Sequence, residues 1–176
     1  MEPLLHFAIP FAFASLLGLS LRWSILFGFI GVLPDLDVAF HVHRSVSHSL
    51  TFPLLLVIFL VPLWKNVKFR RLPLLSVFSW ASHIILDFID GFTPLFWPLS
   101  EKTYRFLFES RFLLSSNPQV SLNLQILEKP YNSSPFATFD AVLFTSESLV
   151  TALLLIFLTL LWKQQTRSSS PLGTER

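Results

Sequence analysis

Four long apolar runs dominate the chain: Leu4–Leu21, Leu50–Trp64, Leu72–Ile89 and Leu149–Trp162. In hydrocarbon every backbone N–H and C=O must find a partner within the protein, so such runs enter a bilayer as helices. Crossing takes about 20 apolar residues. Leu4–Leu21 has that length. Trp23–Leu33 alone gives only about 16 Å of helix and is expected to be a half-helix or to sit in a thinned bilayer. The chain is 52% hydrophobic and 14% charged, against about 25% charged for an ordinary soluble domain. The fold class expected is therefore an all-α multi-pass membrane protein, with about five membrane-embedded helices. Glu2 and the lack of nearby Lys or Arg argue that the first run is retained rather than removed as a signal peptide.

Basic residues set the expected orientation. Lys65, Lys68, Arg70 and Arg71 lie between Leu50–Trp64 and Leu72–Ile89, Lys163 and Arg167 follow the last run, and Arg22 joins Leu4–Leu21 to Trp23–Leu33. The positive-inside rule makes these cytoplasmic, with the N-terminus outside and the C-terminus inside an inner (cytoplasmic) membrane. The expected organisation is four membrane helices over 1–99, an outer-face cap over 100–145, a last helix over 146–163 and a disordered polar tail over 164–176. In the cap, "VSLNLQIL" alternates apolar and polar residues and predicts a strand. "YRFLFESRFLL" is expected to be its hairpin partner or an interfacial helix. Net charge is only +2 and the basic residues border apolar runs, so no nucleic-acid surface is expected. Membrane lipids are the expected surroundings.

This topology brings three distant segments to one outer level. "SHIILDFIDG" places His83 and Asp87 four residues apart, with Asp90 a further three along, on one helical face. Its plain use is a hydrogen bond between helices. In "LPDLD", Pro34 is expected to break the second helix and leave Asp35 and Asp37 in a loop, where capping is the plainer role. "HRSVSHSL" adds His43, Arg44 and His48, with Ser47 or Ser49 available as helix caps. His41 reads as interfacial, and so would His6 if taken alone. Together, this many His and Asp residues beside a single nearby cation, Arg44, cannot all be internal ion pairs. Mixed N/O ligands suit a divalent metal (Zn, Mn or Fe), as one ion or two. With no cysteine in the chain, thiolate sites and Cys nucleophiles are excluded.

These residues resemble the LexA-regulated, membrane-bound metal-dependent hydrolases, a prokaryotic family. Its pattern is an early His, a Pro-Asp-x-Asp loop, an "HRxxTHS" box and an "SHxxxD…P-L-x-W-P" segment. Here they stand, in order, as His6, "LPDLD", "HRSVSHSL" and "SHIILDFIDGFTPLFWPLS", over roughly Met1–Ser100. Ser47 replaces the usual Thr and keeps the hydroxyl, whereas Asp90 stands where Ser or Thr is common. The resemblance implies a metal site drawn from His6, Asp35, Asp37, His43, His48, His83 and Asp87, with Arg44 binding substrate. The expectation is a hydrolase acting at the outer membrane face on a lipid-like phosphoester through metal-activated water, with Asp37 or Asp90 as general base. The rival readings are a divalent-metal transporter and a non-catalytic membrane scaffold tied by a structural His/Asp cluster.

Overall fold

A computed structural model of the chain describes residues 2–42, 44–64, 71–116, 118–132, 134–135 and 143–168, without the side chains of 60–64, 71, 167 and 168. Five α-helices and one hairpin follow in order: α1 (Pro3–Leu16), α2 (Leu21–Val32), α3 (Thr51–Trp64), α4 (Arg71–Asp90), β1 (Lys102–Leu113), β2 (Gln119–Pro130) and α5 (Ser146–Ser168). Two 3-10 helices, Leu33–Phe40 and Val46–His48, lie between α2 and α3.

Three helical stretches among the described residues are long and apolar enough to cross a membrane: Leu21–Phe40, Leu72–Asp90 and Ser146–Thr166. The expectation of five embedded helices is thus supported for three. The first run is shorter as a helix than expected, because α1 stops at Leu16 and Gly18 turns the chain with a φ of 81°. Its 14 residues reach about 21 Å. The second run is longer than expected. The α-helix ends at Val32, just before Pro34 as expected, but the chain goes on as a 3-10 helix whose first turn holds Pro34. Asp35 and Asp37 therefore stand on a 3-10 helix rather than in an open loop. Residues 164–168, expected in the tail, continue α5, while 169–176 lie outside the described residues.

Contacts fix the helix directions. Ala14, Phe27 and Leu75 form one buried cluster, joining the end of α1 to the middle of α2 and the early turns of α4. At the opposite end, His6 of α1 stacks on His83 of α4, and His83 meets the Gly31 carbonyl of α2. Thus α1 runs against α2 and α4. The Lys163 ammonium of α5 donates to the Leu19 carbonyl at 2.6 Å, and the Ser148 hydroxyl donates to the Glu2 carboxylate, so α5 runs with α1. Lys163 and the first residues of α2 and α4 share the end opposite His6, as the charge pattern requires. Lys65, Lys68 and Arg70 lie outside the described residues.

A second cluster joins Trp80, Ile84 and Leu95, with Phe52, Phe88 and Tyr104 packed against it. It seats the hairpin on α4, and Thr93 and Tyr104 exchange backbone hydrogen bonds of 2.8 and 2.9 Å. β1 and β2 pair antiparallel from Lys102↔Pro130 to Leu113↔Gln119, so "YRFLFESRFLL" is the second strand.

Close helix approach rests on Gly31. A Cβ there would collide with the His6 carbonyl oxygen and the Pro10 ring. Helix propensity alone favours Gly31→Ala by about 1 kcal/mol. The collision with backbone predicts the reverse, a net loss of about 1–3 kcal/mol, to be measured by denaturant unfolding in bicelles.

Candidate metal centre

Four buried side chains from three segments converge where α2 and α4 end. Asp35 comes from the first 3-10 helix, His48 from the second, and His83 and Asp87 from one face of α4. One ligand atom from each lies within 4.8 Å of all the others. His83 and His48 approach Nε2 to Nε2 at 3.1 Å. Asp87 Oδ2 is 3.2 Å from His48 Nε2 and 3.7 Å from His83 Nε2. Asp35 Oδ1 is 3.8 and 3.6 Å from the same two atoms.

The surroundings decide what this arrangement can hold. His83 Nδ1 lies 2.8 Å from the Gly31 carbonyl oxygen. A carbonyl only accepts, so His83 carries its proton on Nδ1 and aims the Nε2 lone pair into the cluster. His48 Nδ1 lies 3.2 Å from Asp37 Oδ2, and a neutral His48 donating there also aims a lone pair inward. Two facing lone pairs repel unless a proton or a cation lies between them. Both oxygens of Asp35 are buried without a hydrogen-bond partner, which is costly for a carboxylate. Tetrahedral ligands at about 2.0–2.1 Å from a metal sit roughly 3.3 Å apart. The four-residue cluster therefore fits a divalent cation in donor type, spacing and tautomer.

Not every expected ligand joins these four. Asp37 lies behind His48, where its carboxylate also accepts the Ser45 N–H at 2.9 Å. That is the place of a group that orients a ligand. Ser47 shares in this support: its hydroxyl lies 3.2 Å from the Pro34 carbonyl and 3.1 Å from His48 Nδ1. It bridges the two ligand-bearing segments rather than capping α3. Ser49 is the residue at the start of α3, where its hydroxyl accepts the Thr51 N–H at 3.2 Å. His6 flanks the cluster, with Nε2 3.5 Å from the other Asp87 oxygen. Arg44 holds Asp87 Oδ2 at 3.1 Å and Asp90 Oδ2 at 2.8 Å; Gly91 makes room for its guanidinium. Asp90 is at the rim, 55% exposed. His41 is exposed, with a left-handed φ of 57°. His43 lies outside the described residues.

A cavity of about 450 Å³ opens beside the cluster. Its wall includes His6, Asp87 and Asp90, with Glu2 from just before α1, Glu147 from α5 and Arg105 from β1. Arg105 is the functional candidate missing from the sequence reading. Its Nε is buried without a hydrogen-bond partner. Only the strand alternation around it hinted at which way it points.

Fold and site define a helical membrane protein with a buried His/Asp cluster at one end of its bundle. The chain belongs to the YdjM inner membrane protein family, whose model matches residues 1–168. No curated protein and no solved structure matches it.

Without a cation, burial disfavours the His48 imidazolium, but Asp35, Asp37 and Asp87 outweigh it and raise the pKa from 6.5 to about 10. The bound proton then stabilises the metal-free protein fully below about pH 6.5, and this stability is lost as pH rises through about 10. A cation must displace that proton. Metal affinity should therefore rise with pH, by about tenfold per unit near neutrality for one proton released; chelator competition at a series of pH values measures it. In the same assay Asp37→Asn, which leaves the four-residue cluster intact, should weaken metal binding about 10–100-fold.

Proposed function

We propose that the protein is a membrane-bound, metal-dependent hydrolase acting at the outer membrane face on a lipid-like phosphoester. The observation that carries this reading is the approach of two imidazole Nε2 atoms to 3.1 Å beside two buried carboxylates. When bound, a divalent cation supplies an activated water and polarises the scissile group.

The chain's own residues supply the rest. Asp35, His48, His83 and Asp87 hold the ion, with His6 on the cavity side of Asp87. Gly31 and Asp37 set the two imidazole tautomers. Arg44 grips Asp87 and so fixes which oxygen faces His48. The substrate's reacting group sits in the cavity beside His6, and its phosphate is read by Arg105. Asp90, at the cavity rim, takes the proton from water. Two features support a lipid-like substrate: the cavity includes Leu5, Leu86 and Ile89 beside its polar groups, and one of its walls is a membrane-crossing candidate, α4.

Metal analysis of protein purified in detergent tests the reading directly. Wild type should retain at least one divalent ion per chain, and His83→Ala and Asp87→Asn should each lose it. In a screen of phosphoester amphiphiles, both variants should lower kcat/KM by at least about 10³-fold, as expected for removing a group that stabilises the transition state. Arg105→Ala should act mainly on KM. Protein that holds no divalent metal and hydrolyses no phosphoester would sink the proposal.

A further inference from the structure

The hairpin has two chemically opposed faces. Directly paired residues of an antiparallel sheet point to the same side. The register therefore puts Phe108 and Phe112 of β1 on one face with Val120, Leu122, Leu124 and Ile126 of β2. These six side chains are 57–69% exposed; Ser110 is the one hydroxyl among them. The opposite face is mostly polar: it carries Glu109 and Arg111 with Ser121, Asn123 and Gln125, and Leu107, Leu113 and Leu127 are the apolar residues on it. Nearer the root, that polar face turns Arg105 into the cavity beside the cluster and Thr103 and Lys129 into a neighbouring cleft with Arg44.

Two antiparallel strands alone are marginal in water, and an apolar face of this size rarely stays in contact with it. What covers the face follows from where it begins. Phe106, the next residue on the same face, meets Phe88 of α4 at a ring separation of 6.0 Å. Ile85 of α4 is itself about half exposed, on a helix long and apolar enough to cross a membrane. Phe88 and Phe106 thus join the apolar surface of a membrane-crossing candidate to that of the hairpin, with the Lys102–Glu128 ion pair at the hairpin's root. Both ends of the cap also return to such helices, α4 and α5.

We infer that the β1–β2 hairpin is a membrane-inserted paddle: its apolar face lies among lipid acyl chains at the bilayer surface, and its polar face turns towards the candidate metal centre and water. The occupant of this face is lipid rather than a second copy of the chain, because a partner copy would also have to cover the adjoining apolar surface of α4. The inference stands independently of the hydrolase reading.

The absence of cysteine makes the test clean. Single cysteines at Leu122, Asn123, Leu124 and Gln125 would carry nitroxide labels in protein reconstituted into phosphatidylcholine–phosphatidylglycerol nanodiscs. Collision rates with oxygen, which partitions into lipid, and with a water-soluble nickel chelate are then compared. The oxygen-to-nickel ratio should be severalfold higher at 122 and 124 than at 123 and 125, giving a period of two. Equal nickel access at all four positions overturns the inference and leaves the face in water. Low access of both reagents at 122 and 124, with spin–spin broadening, overturns it in favour of a second copy. All four positions are exposed, so retained metal content and unchanged detergent elution report that each variant is folded.

Discussion

Two neutral imidazoles cannot rest with their lone pairs 3.1 Å apart in a buried pocket unless something positive lies between them. Much of the architecture at that end of the bundle serves to hold His48 and His83 in this position. Gly31 lets α1 and α2 close up and also presents its carbonyl to His83. The 3-10 turn after α2 brings Asp35 and Asp37 inward within a few residues of each other. Trp80 Nε1 donates to the Ser47 carbonyl at 2.8 Å, fixing the short helix that carries His48 against α4. Packing and polar geometry are therefore one problem here, since each close contact between helices also positions a ligand or its support.

Much of this was legible in the sequence because membrane proteins restrict where ionisable groups can go. His83 and Asp87 stood out inside an apolar run, and their four-residue spacing alone put them on one face. The convergence of His6, Asp35, His48 and Asp87 followed from counting crossings and from the positions of basic residues. The strand pattern of "VSLNLQIL" survived because alternation is a local property. The first run was misjudged for a local reason too. Hydrophobicity counts Leu17 and Leu19 as span, whereas Gly18 and Ser20 place them in the turn before α2.

The parts that were not legible depend on distance between elements. Whether Asp37 ligates or orients cannot be read from "PDLD", since the two aspartates differ only in which side of His48 they face. Arg44 looked like an uncommitted cation because Asp87 and Asp90 lie more than forty residues away. Arg105 looked like one of several strand residues, and only tertiary packing turns it into the cavity. In each case the side chain was visible but its partner was not.

Charge balance ties these partners together. Asp35, Asp37 and Asp87 are three buried carboxylates, and Arg44 is the one guanidinium against them among the described residues. Two negative charges remain in a low-dielectric pocket, where the protein cannot leave them without large cost. Protonating His48 removes one, and a divalent cation at the four-residue cluster removes both. The second solution also separates the opposed imidazole lone pairs and gives the bare Asp35 oxygens a partner, which a single proton cannot do at once. The scaffold reading explains burial and packing equally well, and it gives Asp35 only the role of holding the His48 proton. A transport path would need ionisable groups continuing towards Lys163; among the described residues that direction holds the apolar cluster of Ala14, Phe27 and Leu75 and the buried hydroxyls of Ser15, Ser24 and Ser79. His6 and Asp87 join the cluster to the cavity under the hairpin, and Arg44, which holds Asp87, lines the neighbouring cleft, so both of these openings lie on the hairpin side of the cluster.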